Sequence, residues 1–130
     1  MKELLLTIDV KCSSPLTVKG SEKAIVIIPF CGNAHGEDFN GKIIGQGTDM
    51  QKYDLISGEN SIIARYILQG IDKTGAVCRI FIENVLYNNN EWRPTIITDS
   101  KYLGSWEKLP LTASVTPTAD GVNVNIYKET

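Results

Sequence analysis

The chain has 130 residues, a formal net charge of −2 and 42% hydrophobic side chains, which fits one compact domain over 1–130 burying roughly two-thirds of its unfolded surface. Its charges are scattered and form no basic patch interleaved with aromatics, so no nucleic-acid partner is expected. The run Leu4-Leu5-Leu6, followed by Asp9 and Lys11, is too short for a signal segment or a spanning helix, so a cytoplasmic protein with no membrane partner is expected.

Alternation and turn residues dominate the chain. Leu4, Leu6, Ile8 and Val10 share one face of a first strand, which Ser13-Ser14-Pro15 interrupts. Ala24 to Ile28 is unbroken and β-branched, which predicts a strand covered on both faces and ended or bent at Pro29. Asn40-Gly41, beside Lys42-Ile43-Ile44, predicts a type I′ hairpin turn. Gly45 and Gly47 then predict a loop through Thr48, Asp49, Met50 and Gln51.

Ser61–Leu68 and Val77–Asn84 flank the turn Asp72-Lys73-Thr74-Gly75 and predict a long antiparallel hairpin. Pairing Ile71 with Ala76 sets Arg65 opposite Ile82, with Asn84 beside it on a face otherwise rich in isoleucine. A charge and an amide among isoleucines are costly unless paired or wet. That pattern predicts a barrel lumen with a small polar site. A polar tip at Asn88-Asn89-Asn90 and an edge-like strand over Thr95–Thr98 follow. A helical turn is expected over Gly104–Lys108, and a last hairpin turns about Asp120-Gly121. Pairing outward from Ala119 and Val122 puts Ala113, Val115, Pro117, Val124 and Ile126 on one face of that hairpin. Eight to ten strands without crossover helices predict an all-β fold, a single antiparallel β-barrel. A barrel of about eight strands fills its interior with side chains or holds one small ligand.

The run Ile28-Pro29-Phe30-Cys31-Gly32, then Asn40-Gly41, then Gly47-Thr48-Asp49-Met50-Gln51, resembles the domain-of-unknown-function 3237 family (the UPF0311 group). Ala64-Arg65-Tyr66, Asn84, Tyr102 with Trp106, and Gly121 to Tyr127 extend the resemblance over roughly residues 20 to 128. It implies a calycin-like β-barrel and no agreed activity. Met50 stands where the family has a tryptophan, and the central hairpin is longer than the family's.

Five residues are candidate ligand-binding groups: Arg65, Asn84, Asp49, Trp106 and His35. Arg65 reads either as a bidentate anion clamp or as a structural partner of Asp49. Asp49 reads as a turn former or as a base weakened by Arg65. Asn84 would orient a ligand carbonyl or satisfy backbone. Trp106 and Tyr66 pack or stack on a flat ligand, with Tyr66 facing away from Arg65. His35 reads as a surface residue or a proton-transfer partner. Cys12, Cys31 and Cys78 lack CxxC spacing, which argues against a disulfide framework and a zinc site. Gly45-Gln46-Gly47 lacks the lysine and helix of a phosphate loop. No metal and no cofactor are expected.

Three readings stay open. The first is a barrel that binds an apolar or aromatic ligand with one anionic or carbonyl group. The second is a cofactor-free isomerase, cyclase or lyase acting near a carbonyl. The third is a structural oligomerising module with a filled interior. Apolar residues on both faces of the central hairpin predict a homodimer.

Overall fold

A computed structural model describes residues 1–87 and 90–129, so Asn88 and Asn89 of the expected polar tip lie outside the described residues. The strands are β1 Lys2–Cys12, β2 Leu16–Lys19, β3 Lys23–His35, β4 Phe39–Asp54, β5 Asn60–Asp72, β6 Val77–Leu86, β7 Trp92–Thr98, β8 Leu111–Pro117 and β9 Gly121–Glu129. Each strand from β2 to β9 pairs antiparallel with the next, β9 returns to β1, and β1 pairs with β3. Eight strands therefore close into the expected antiparallel barrel, with β2 added along β3.

Two-residue alternation aims the apolar set inward. Leu6, Ile8, Leu68, Ile80, Ile82 and Ile126 are fully buried. One seam is weak, because β7 and β8 share the single pair Trp92 and Ala113. The expected helical turn, a 3-10 segment over Gly104–Lys108, closes that gap. Trp106 and Leu103 are buried there, and Glu107 Oε2 accepts from the Thr98 backbone N–H at 3.0 Å. Trp106 is thus a plug at the seam.

Several local expectations change. Pro29 does not end β3. Its carbonyl accepts from Ser13 N at 2.8 Å, so its N–H-less nitrogen faces the break between β1 and β2, where no ladder bond is lost. Asn40-Gly41 is no turn, because Asn40 pairs with His35 and Ile71 inside β4. Gly41 is needed for another reason: a Cβ there would lie 2.4 Å from the Gln69 carbonyl oxygen. Residues 48–51 belong to β4 as strand, and only a bulge with Gly45 at φ 62° interrupts the ladder.

The two hairpins slip differently. In β8–β9, Val115 pairs with Val124, a two-residue change from the expected pairing that preserves the faces. In β5–β6, Ile71 pairs with Val77 instead of Ala76. Gly75 at φ 88° follows a turn closed by Gly75 N to Asp72 O at 2.9 Å, and Asp72 N donates to Ala76 O. That is a turn with a glycine bulge, which inserts one residue on the β6 side. A one-residue slip moves one strand's side chains to the other face. Arg65 therefore pairs with Glu83 and looks outward, while Ala64 pairs with Asn84 and looks inward.

Candidate functional site

The inward row across the middle strands reads Asp49, Ala64, Asn84, Pro94, on β4, β5, β6 and β7 respectively. Ala64 is the small member. Asp49 and Asn84 stand two strands apart, about 9–10 Å at the backbone, with only a methyl group between them. Tyr66 follows Ala64 on the same face of β5, about 7 Å further along the strand. Three polar side chains thus surround one small residue on the barrel's inner wall.

Phe30 limits how Tyr66 sits. The two rings meet edge to face at 5.5 Å and 71°. Gly47 makes this possible, since a Cβ there would fall 2.2 Å from the Phe30 ring. Glycine at 47 is a packing requirement and not a loop signal.

Each of the three groups keeps a buried oxygen without a hydrogen-bond partner: Asp49 Oδ1, Tyr66 Oη and Asn84 Oδ1. Such atoms cost about 1–3 kcal/mol apiece relative to satisfied ones. Thr112 Oγ1 is a fourth, on an outward position of β8 paired with Tyr127. The other Asp49 oxygen accepts from Gln51 Nε2 at 3.2 Å, and Tyr53 Oη donates to Gln51 Oε1 at 2.5 Å. Asp49, Gln51 and Tyr53 repeat with period two along β4, so this relay follows the strand toward its end. Burial raises the Asp49 pKa, opposed by the weaker effect of the Gln51 bond. Burial also pushes the Tyr66 phenol up, so it stays protonated and can donate at neutral pH.

The expected site residues divide accordingly. Asp49 and Asn84 come together on the inner wall. Arg65 does not join them: its Nε donates to Glu83 Oε2 at 2.6 Å on the outside of the barrel. The expected lowering of the Asp49 pKa by arginine is therefore replaced by a rise from burial. His35 sits exposed at the end of β3, 3.3 Å from Asp9, on the outer surface. Trp106 lines the seam instead of the polar row. Tyr66, expected only to pack or to stack on a flat ligand, belongs to the constellation through its hydroxyl. Gln51 and Tyr53 belong to it as well and are not among the expected site residues; their two-residue alternation along the strand from Asp49 is the available signal. Among the described residues no group of three or more His, Cys, Asp or Glu could hold a metal ion. Among them no helix is long and apolar enough to cross a membrane.

The sequence matches no protein-family model and no curated protein. Solved structures do resemble it. One is a protein of unknown function from Clostridium acetobutylicum, with TM-score 0.79 and 19% identity, covering 100% of this chain and 99% of that one. Another is described as an enzyme from Penicillium herquei, with TM-score 0.75 and 15% identity over 98% of this chain and 92% of that one. A third is a β-barrel-like protein from Acinetobacter baumannii, with TM-score 0.71 and 18% identity over 98% and 94%. At these identities the likeness establishes the barrel fold alone.

Proposed function

We propose that the barrel lumen binds a small apolar or aromatic molecule whose polar end lies over Ala64. The observation that carries this reading is the clustering of three unpartnered buried oxygens on adjacent strands. Their chemistry selects the ligand's polar groups. The Tyr66 hydroxyl donates to a carbonyl oxygen, while Asp49 Oδ1 and Asn84 Oδ1 accept from hydroxyl or N–H groups. A hydroxy-carbonyl compound, such as an aromatic ketone with a neighbouring hydroxyl, meets both demands. With Arg65 outside and Asp49 inside, the site favours a carbonyl over an anion. Because the oxygens are already desolvated, each bond from a ligand recovers part of their burial cost. The motif order from Ile28 to Tyr127 supports placing the chain with the 3237 family, a placement that is part of this proposal and rests on the sequence.

Titration calorimetry with hydroxyaryl ketones tests the binding reading. Wild type should bind, and Tyr66→Phe should lose about tenfold or more in affinity, as expected when a hydrogen bond in a dry site is removed. Equal affinity in the two proteins would contradict it.

A second reading has its own observation, the upward shift of the Asp49 pKa. A carboxylate so shifted is a stronger base near neutrality, and a phenol donor beside it would stabilise enolate-like charge on a carbonyl oxygen. Proton abstraction next to a carbonyl would then follow, with no cofactor required. Deuterium exchange at the carbon adjacent to the carbonyl of a bound ketone reports this step. Exchange in wild type and its loss in Asp49→Asn support catalysis, whereas binding without exchange leaves the protein a binder.

A further inference from the structure

Exposure on the inner wall changes in one direction along the barrel. Tyr66, Ile82 and Ile96 form one inward row and are all buried. The polar row beside it is half-buried at Asp49 and Ala64 and buried at Asn84 and Pro94. One step further, the inward row across β3 to β7 reads Val26, Gln51, Ile62, Leu86 and Trp92. Every member is half-buried, although all of them point inward. The wall of β1, β8 and β9 follows the same gradient. Ile8 and Ile126 are buried there, Val115 and Val122 half-buried, and Pro117 exposed. Inward side chains stay half-exposed only where solvent enters the lumen, so the barrel is a cup. Leu6, Leu68, Ile80 and Leu103, all buried, close one end. The other end opens above Asp49 and Ala64.

We propose that Trp92 is a specificity residue of the lumen site, its indole packing against an aromatic ring of the ligand. The assignment rests on the lumen reading and deepens it, since it names a planar aryl ketone over an aliphatic one. Spacing carries the argument. Successive inward rows lie about 7 Å apart along a strand, which is the length of one aryl ring on its carbonyl. A ligand whose carbonyl and hydroxyl meet Tyr66, Asp49 and Asn84 therefore holds its ring at the height of the Trp92 row. Ile62 and Leu86 line that height with aliphatic surface, and Trp92 is its aromatic member. None of the three belongs to the core cluster, in contrast to Ile82 and Ile96 one step below the polar row. Trp92 also stands at the single pair between β7 and β8, opposite Ala113, whose methyl group leaves much of the indole uncovered. An aryl ring beside it gains an offset or edge-to-face contact. A saturated ring of the same size fills the same space without a π-face.

Titration calorimetry of the full chain with ortho-hydroxyacetophenone and its saturated-ring counterpart, which keeps the carbonyl and the hydroxyl, tests the assignment. Wild type should prefer the aryl ketone by about tenfold. Trp92→Leu should lose that preference while still binding the saturated compound, and Trp92→Phe should keep it. Circular dichroism melts confirm that each variant stays folded. A wild type that binds both compounds equally, with Tyr66→Phe weakening both, overturns the assignment and leaves the lumen reading standing. So does a folded Trp92→Leu protein that keeps the wild-type preference. A wild type that binds neither compound overturns the lumen reading and the assignment together.

Discussion

Two aspartates on the inward phase of neighbouring strands live in opposite circumstances. Asp72, at the turn end of β5, is surrounded by donors. Its Oδ1 accepts from the Thr74 N–H and hydroxyl and from the Ala76 N–H, and its Oδ2 from Ser100 Oγ at 2.8 Å. The Thr74 and Ser100 hydroxyls lead in holding its pKa below the usual carboxylate value. Ser100 Oγ in turn accepts from Leu103 N at 3.1 Å, which ties the seam plug to the β5–β6 turn. Asp49, on β4, has one bond and one orphaned oxygen, and its pKa is raised. Asp72 is a fastener. Asp49 is a buried carboxyl with one oxygen left unpartnered, which is what the proposed lumen site draws on.

Substitutions should widen that contrast. Asp72→Ala strips the acceptor from four donors at once and should lower Tm the most, on the order of 10 °C in a thermal melt. Gly47→Ala drives a methyl group into Phe30 and should cost about 1–3 kcal/mol in denaturant unfolding, with the Phe30–Tyr66 contact displaced. The two carboxylates should also respond to pH with opposite signs. Asp72, with its lowered pKa, stabilises the fold above the ordinary carboxylate value and ceases to as pH falls through its folded pKa. Asp49, with its raised pKa, is most favourable below the ordinary value and becomes a liability as pH rises through its folded pKa. Asp49→Asn should therefore gain on wild type as melts are run from acid to neutral pH. Tyr66→Phe removes an unpartnered hydroxyl and should leave stability unchanged or raise it by up to about 1 kcal/mol. Arg65→Ala should matter least to the dilute protein's unfolding, within about 1 kcal/mol, because its pair with Glu83 is solvent-exposed.

The barrel was legible because its strands alternate over long stretches. Leu6, Ile8 and Val10 or Val124 and Ile126 declare a buried face whatever their partners are. The β8–β9 hairpin shows how tolerant this is, since a slip of two residues leaves every side chain on its expected face. The central hairpin shows the limit. Gly75 adds one bulged residue, and that alone takes Arg65 out of the lumen and separates it from Asn84. Nothing in Asp72-Lys73-Thr74-Gly75 distinguishes a four-residue loop from a turn with a bulge without the bond from Asp72 N to Ala76 O. Gly41 and Gly47 misled for a related reason. Glycine marks close approach as readily as a turn, and here it admits the Gln69 carbonyl and the Phe30 ring. The inner row of Asp49, Ala64 and Asn84 crosses three strands, so only the register could assemble it.

A thermal-shift series with one hydroxyaryl ketone tests the lumen site most directly, run on wild type, Tyr66→Phe, Asp49→Asn and Arg65→Ala. A ligand at 100 times its Kd should stabilise a competent protein by about 2.7 kcal/mol. Equal shifts are expected for wild type and Arg65→Ala, and shifts that shrink or vanish for Tyr66→Phe and Asp49→Asn. A shift that survives in Tyr66→Phe and Asp49→Asn but disappears in Arg65→Ala would contradict it and move the site to the outer face.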